Sequence, residues 1–486
     1  MKFSSFIVLL FMSTISFSQE FRGIWKGEFQ DLDSTIQIEM NVMVQKDTMI
    51  GAILWEPTMC SLSDSNFYGG TLHLKTTKKQ IAERNENLKK RALAEGDKIK
   101  LNIYNEIKFN GELANNKNQL NGELSLDGKI FPVELFRSDK PIFRPQEPKK
   151  PYPYYSEDVE FRNKKDSVVL AGTLTLPNKT GKFPAVIIQS GSNPLNRNGE
   201  SNYHKPTLLL ADYLTRNGIA VLRYDSRGIG KSTGNFDEST AANLAGDLIA
   251  GYQYLASRKE INDQKIGLIG HSEGGMVAAI AASQSNEFNF VVMLSAPGIP
   301  LRDGFKIQRE LNFKNGDLSE NLTDFFKKLD SEVENLLDQN MNSREIFNIL
   351  NKSKYPEFEF SSDIPDDNFN KKIMFSVILG KLTSPHNLFN LKVNPSDYIE
   401  KLTCPVLSLN GSNDMQVTAE INQKAIRQAL IKGGNKDFKI AELSGLNHSF
   451  QECQTGSLKE SLTLEQTFSP KALEIITEWI KTHVEN

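Results

Sequence analysis

The chain has 486 residues, 39% of them hydrophobic and 24% charged, with 57 Lys and Arg against 60 Asp and Glu and a formal net charge of -3. Those proportions exclude a disordered or collagen-like chain and a multispanning membrane protein, and the length accommodates roughly three domains with cores of their own. The near-balance of charge also argues against a nucleic-acid partner, since general nucleic-acid binders neutralise phosphates with a basic excess or stripe.

Residues 1–18 read as a secretory signal peptide, with Lys2 as the positive start, an apolar stretch over 6–12 and the small-x-small end Ser16-Phe17-Ser18. The apolar run is too short to cross a bilayer. A secreted or periplasmic protein without stable membrane insertion is therefore expected. Its only cysteines are Cys60, Cys404 and Cys453, an odd number that supplies no disulfide framework.

From 19 to 139 the sequence reads as a small N-terminal, β-rich, barrel-like domain of antiparallel strands. The runs 21–29, 36–44, 49–55 and 98–109 have strand composition, and Asn110-Gly111 and Asn121-Gly122 carry the pattern of tight turns. The repeated Asn-Gly-Glu-Leu at 110–113 and 121–124 reads as two rungs of one meander, and the charged stretch 78–91 as a solvated helix or excursion between strands. Gly23-Ile24-Trp25-Lys26-Gly27 resembles the opening of small lipocalin-like barrels, in which the Trp plugs one end. Pro141, Pro145, Pro148, Pro151 and Pro153 then fall within thirteen residues. That density blocks helix and interior strand and predicts a stiff, extended linker over 140–154, with a domain boundary near 150.

Beyond the linker, from 155 to 486, apolar strands alternate with helices. Strands are predicted at 168–176, 185–189, 219–224, 265–270, 290–295, 405–410 and 438–443, and helices at 207–217, 240–257, from 273 and at 418–431. Leu244, Leu248, Tyr252 and Leu255 recur at helical spacing, as one face packed on a sheet requires. Continuous apolar strands such as Val186-Ile187-Ile188 mark a sheet covered on both sides. The expected fold class is α/β, with a mostly parallel, doubly wound sheet. Residues 301–400 are charged, helical in pattern and devoid of strand runs, too long for a loop, and read as a helical cap inserted into that sheet.

Gly270-His271-Ser272-Glu273-Gly274 is a G-x-S-x-G nucleophile elbow, placed between a predicted strand and a predicted helix as the motif requires. A Ser hydroxyl is a weak nucleophile until a base takes its proton. Of six histidines, His73 lies in the β domain, His204 opens an early helix, His271 belongs to the elbow, His386 to the cap and His483 to the terminal helix. That leaves His448, in the loop after strand 438–443, as the base. Asp414, just past strand 405–410, is the expected carboxylate partner, with Asp303 and Asp397 less suitably placed in the cap or at its exit. The order Ser272, Asp414, His448 is that of an α/β-hydrolase. Oxyanion donors are expected from the backbone N–H of Glu273 and from the turn after strand 185–189, at the Ser192 N–H. With no H-x-H, H-E-x-x-H, C-x-x-C or phosphate loop, neither a metal nor a cofactor is implied.

Three segments carry a family likeness: 189–197, 222–232 (Leu-Arg-Tyr-Asp-Ser-Arg-Gly-Ile-Gly-Lys-Ser) and 270–275. Together they resemble secreted bacterial α/β-hydrolase esterases with an N-terminal β domain, similar to prolyl-oligopeptidase-like serine hydrolases. The resemblance spans about 155–486 and assigns Ser272, Asp414 and His448 to the family's catalytic positions. Ser190 stands before Gly191 where the commoner pattern has His. The resemblance implies that Asp225 and Arg227 form a structural loop beside the elbow, with a buried ion pair that includes Glu273. It also favours carboxylic esters, hence a small acyl ester as substrate. A serine peptidase or acyltransferase with the same triad is the alternative, and a catalytically silent surface binding protein is the alternative of another class.

Overall fold

The structure is a computed structural model that describes residues 23–31, 34–45, 48–55, 58–62, 64–68, 71–75, 107–114, 119–137, 144–201, 204–314, 320–352, 375, 378–457, 460–461 and 464–485. The segments read above as a leader (1–18) and as a charged excursion (78–91) lie outside the described residues. The chain divides into two units between residues 143 and 144.

In the first unit β1 (Gly23–Asp31), β2 (Ser34–Gln45), β3 (Thr48–Trp55), β4 (Thr58–Leu62), β5 (Asp64–Tyr68), β6 (Thr71–Lys75), β7 (Ile107–Leu113), β8 (Gln119–Leu126) and β9 (Lys129–Arg137) form one antiparallel sheet, ordered β4-β3-β2-β1-β9-β8-β7-β6-β5. Alternation decides which face is inside: Leu120, Leu124 and Leu126 on β8 and Phe131, Val133 and Leu135 on β9 are buried. Trp25 is fully buried, with the Arg137 guanidinium 4.2 Å from its ring centroid. The two Asn-Gly pairs are not turns. Asn110-Gly111 and Asn121-Gly122 lie inside β7 and β8, with Gly111 opposite Gly122. A Cβ on Gly122 would stand 2.3 Å from the Asn110 carbonyl oxygen, so close strand approach, not a left-handed turn, selects glycine there. The turn chemistry is at Asp127-Gly128, both at positive φ, between β8 and β9. The Asn-Gly-Glu-Leu repeats are neighbouring rungs, as read.

The second unit holds an eight-stranded sheet, ordered β10-β11-β13-β12-β14-β15-β16-β17. Its first strands, β10 (Tyr155–Asn163) and β11 (Val168–Leu176), are antiparallel; β12 (Phe183–Gln189), β13 (Ala220–Tyr224), β14 (Ile261–His271), β15 (Val291–Leu294), β16 (Val406–Gly411) and β17 (Phe438–Leu443) run parallel. Between them lie α1 (Pro206–Arg216), α2 (Ala241–Ala256), α3 (Glu273–Gln284), the cap helices α4 (Leu301–Lys314), α5 (Glu320–Asp338), α6 (Ser343–Lys352), α7 (Pro385–Lys392) and α8 (Ser396–Ile399), then α9 (Ala419–Lys432) and α10 (Pro470–Val484). Successive residues serve opposite faces. Ile187, Leu222, Leu268, Val291 and Val406 join one core with α2, α3 and α9. Val186, Val221, Ile269, Val292 and Leu407 join the other, with α1 and α10. Burial on both faces explains why these strands read as unbroken apolar runs. The strand β10 escaped the sequence reading because it is an edge strand whose partly buried and exposed positions alternate, with only Phe161 and Asn163 fully buried, leaving few apolar residues.

The cap has its own core. Phe325, Leu329, Val333 and Leu337, four residues apart along α5, pack with Ile346, Leu350, Leu379, Leu388 and Leu391. The pairs Arg302–Asp338 (2.8 Å) and Lys306–Glu334 (2.8 Å), together with Arg309–Asp330, join α4 to α5 as an antiparallel ladder. No described helix is long and apolar enough to cross a membrane. Residues 144–154, read as a linker, are strapped to the second unit: the Gln146 amide donates to the Phe468 carbonyl (2.8 Å) and accepts from the Thr467 N–H (2.6 Å), and the Tyr154 hydroxyl donates to Asp212 (2.9 Å).

Candidate active site

All three residues singled out by the sequence emerge at the carboxyl edge of the parallel strands, the side on which open α/β sheets place their sites. Ser272 follows β14 and precedes α3 with φ 56° and ψ -129°. A non-glycine residue at positive φ costs on the order of 1–3 kcal/mol and persists only where its surroundings enforce it. Here the surroundings are visible. The Ser272 N–H donates to the Leu294 carbonyl (2.8 Å). A Cβ on Gly270 would lie 2.1 Å from the Gly274 carbonyl oxygen, and one on Gly274 would lie 2.4 Å from that of Gln189. Both flanking glycines are thus required for the turn to close.

Asp414 and His448 are brought together from the loops after β16 and β17. His448 Nδ1 stands 2.9 Å from Asp414 Oδ2 and 3.0 Å from Oδ1, and the carboxylate is fully shielded from solvent. The same Oδ1 accepts the N–H groups of Gln416 (2.9 Å) and Val417 (2.8 Å), an Asx turn that fixes the carboxylate's orientation. With Nδ1–H donated to Asp414, the Nε2 lone pair is left to act as a base. Asp303 and Asp397 are exposed. His271 holds the other side of the His448 loop: its Nε2–H donates to the His448 carbonyl (2.8 Å). Asn447 steadies the loop from within, accepting from the Ser449 and Gln451 N–H groups and donating to the Gln451 side chain. Ser272 Oγ and His448 Nε2 are not hydrogen-bonded to each other; catalytic hydrogen bonds of this kind commonly tighten in the substrate complex.

Burial, with the neighbouring His448, pushes the His271 imidazole down to about 4. Because that value lies below the ordinary 6.5, the unfolded chain binds the extra proton first as pH falls. The neutral His271 therefore contributes stability that is complete above pH about 6.5 and is lost between about 6.5 and 4, up to about 3 kcal/mol. Denaturant unfolding at a series of pH values should show this decline, and His271→Gln should flatten it.

The turn after β12 abuts the elbow. A Cβ on Gly191 would stand 3.1 Å from Ser272 Cβ and 3.6 Å from its Oγ. Ser192, Ser272 and Glu273 line one cleft of about 580 Å³, which includes space open to solvent, with Leu301, Phe305 and Ile307 of the cap on one side and Val417 and Ile421 on another. Glu273 is the first residue of α3, and its N–H is among the donors a helix leaves without an intrahelical acceptor.

The expected ion pair of Asp225 or Arg227 with Glu273 is not formed. Asp225 is held by Arg197 (2.7 Å), and Arg227 forks onto Asp247 through two 2.7 Å bonds while reaching Asp166 (2.6 Å). Glu273 meets His386 from α7 instead, Oε1 to Nε2 2.9 Å. The reason is topological: the loop over 225–232 packs toward β11 and α2, where Asp247 awaits Arg227, whereas the cap lowers α7 onto the elbow. Among the described residues there is no group of three or more His, Cys, Asp or Glu able to hold a metal ion.

A strained Ser after a central strand, a buried Asp–His pair from the next two strand ends and a mostly parallel sheet define a serine hydrolase of the α/β-hydrolase fold. Residues 166–428 match the X-Pro dipeptidyl-peptidase (S15) family, and the chain belongs to it. It is similar to Esterase EstD of Thermotoga maritima, 28% identical over 295 residues that cover 60% of this chain and 61% of that protein. The chain thus spans less than two thirds of that relative. An acyl transferase of Photorhabdus luminescens is 37% identical over 106 residues, 21% of this chain and 32% of the relative. A solved esterase of Pyrococcus furiosus is 20% identical with a TM-score of 0.43, over 70% of this chain and 97% of that one.

Proposed function

We propose that the protein hydrolyses small carboxylic esters through an acyl-enzyme on Ser272. The observation that carries this reading is the buried Asp414–His448 pair, whose loop His271 ties to the Ser272 elbow, while Ser272 itself lines a cleft walled in part by Leu301, Phe305, Ile307, Val417 and Ile421. Ser272 Oγ attacks the ester carbonyl while His448 Nε2 takes its proton, and the N–H groups of Glu273 and Ser192 bind the oxyanion. Collapse of the tetrahedral intermediate breaks the C–O bond, and the imidazolium returns the proton to the departing alcohol. Water, deprotonated by His448, then attacks the acyl carbonyl and releases the acid and Ser272.

Membership of a peptidase family favours a second reading, release of an X-Pro dipeptide. Such a substrate presents a terminal ammonium, which requires a free carboxylate in the site. Among the described residues of the cleft the one ionisable side chain is Glu273, already engaged by His386. An ester without a charged acyl group matches that lining better.

The test is kcat/KM for p-nitrophenyl esters of increasing acyl length against X-Pro p-nitroanilides. Ester turnover should dominate and rise about fourfold per methylene until the cleft is filled, as about 0.8 kcal/mol per buried CH₂ implies. Phe305→Ala, which empties part of the cap wall, should move the optimum to longer chains. Faster cleavage of the anilide would replace this reading with the peptidase one. Export rests on the sequence of residues 1–18 alone, and N-terminal sequencing of the mature protein tests it.

A further inference from the structure

Two buried side chains outside these proton transfers meet at the elbow. His386 is the second residue of α7, and Glu273 the first of α3; their side chains are 7% and 5% exposed. His386 Nε2 and Glu273 Oε1 approach to 2.9 Å without hydrogen-bond alignment, and neither atom has another polar partner. The other ring nitrogen, Nδ1, lies 2.8 Å from the Ser239 carbonyl, which only accepts, so Nδ1 carries a hydrogen. A second proton, on Nε2, would face the carboxylate. Burial opposes a charged imidazole and so does the N-terminal end of α7, but Glu273, the Ser239 carbonyl and the nearby Asp237 favour it, and the balance raises His386 above its ordinary value. His386 is thus drawn toward its charged form, and removal of either member leaves the other without its partner in a dry setting. The backbone N–H of His386 donates to the Asp237 carbonyl (3.1 Å), and its ring centroid lies 4.5 Å from that of Phe236, so both the main chain and the imidazole are held.

Glu273 is the residue whose N–H faces the developing oxyanion in the proposed mechanism, and its first turn of helix carries Ser272. We propose that His386 is a positioning residue for the nucleophile elbow: by gripping the Glu273 carboxylate from the cap, it fixes the first turn of α3 and the oxyanion N–H that this turn presents. The inference rests on the proposed function. It makes the cap part of the catalytic geometry, and not only the wall of the cleft.

The test compares the full chain with His386→Ala, His386→Gln, Glu273→Gln and the His386→Gln/Glu273→Gln double variant. Readouts are kcat and KM for p-nitrophenyl acetate, the second-order rate of labelling by a fluorophosphonate, whose phosphoryl oxygen occupies the oxyanion position, and the thermal midpoint. His386→Ala should lower kcat and the labelling rate roughly 10- to 100-fold, the scale of a small misplacement of a catalytic group, with KM changed less than about threefold. His386→Gln, which keeps a donor toward Glu273, should recover part of that loss, and the double variant should lose no more than its worse single parent. A role confined to stability would lower the midpoint and leave the labelling rate of folded protein at the wild-type value, and that result overturns the inference, as do fully additive losses. If His386→Ala fails to fold, the Gln variants carry the comparison. Activity that survives Ser272→Ala would instead overturn the proposed function; loss there with wild-type rates in every His386 variant would overturn this inference alone.

Discussion

Ser272→Ala is expected to reduce kcat for a p-nitrophenyl ester by about 10⁵-fold, to leave KM within a few-fold and to abolish labelling by a fluorophosphonate. The loss is large because no other group in the cleft supplies a nucleophile: of the described residues lining it, only Ser192, Ser272 and Thr418 carry hydroxyls, and only Ser272 is held at a strained turn beside the His448 loop. The residual rate reflects what the oxyanion donors and substrate binding contribute by themselves. Stability should move the other way or little. The Ser272 backbone sits at φ 56°, and alanine at that position bears the same backbone cost, so the thermal midpoint should stay near the wild-type value. Ester turnover within tenfold of wild type would remove Ser272 from the mechanism.

Most of this site was legible in the sequence, for a physical reason. The elbow is local: glycines at 270 and 274, forced by backbone contacts shorter than any Cβ tolerates, bracket the Ser within five residues. Asp414 and His448 were reachable because strand ends converge on one edge of a parallel sheet, so residues just past two predicted strands must be neighbours. Elimination among six histidines then left one. What escaped depends on contacts without a local signature. His386 and Glu273 are more than a hundred residues apart, and nothing in the sequence around either tells that the cap folds back so far. Arg227 was correctly read as structural, yet its partner Asp247 is a buried acid on a helix face where polarity alone suggests solvent. The Asn-Gly pairs misled because glycine serves two ends, left-handed turns and close strand approach, and composition does not separate them.

Asp414→Asn should be nearly as damaging, lowering kcat by about 10⁴-fold at neutral pH while preserving the fold. The carboxylate does two things at once: Oδ1 accepts the Gln416 and Val417 N–H groups, and both oxygens face His448 Nδ1. An amide has one acceptor. If its oxygen keeps the turn, its NH₂ faces Nδ1, which must then give up its hydrogen and act as acceptor; the proton moves to Nε2, the atom that has to receive the Ser272 proton. If the oxygen turns toward His448, the NH₂ opposes two backbone N–H groups and the Asx turn is lost. The first orientation removes the base; the second keeps its tautomer but loses the turn that holds the side chain and the charge that stabilises the imidazolium. Side-chain volume is unchanged in both, so fluorophosphonate labelling should fall with kcat and the thermal midpoint should drop by only a few degrees. Asp414→Glu, which keeps the charge but lengthens the side chain, should recover little, since the turn fixes where the oxygens must lie. A kcat for Asp414→Asn within tenfold of wild type would mean that another group sets the His448 tautomer. Asp303 and Asp397 are exposed, and His448 Nδ1 is engaged by Asp414, so such a result would break the assignment of the pair itself.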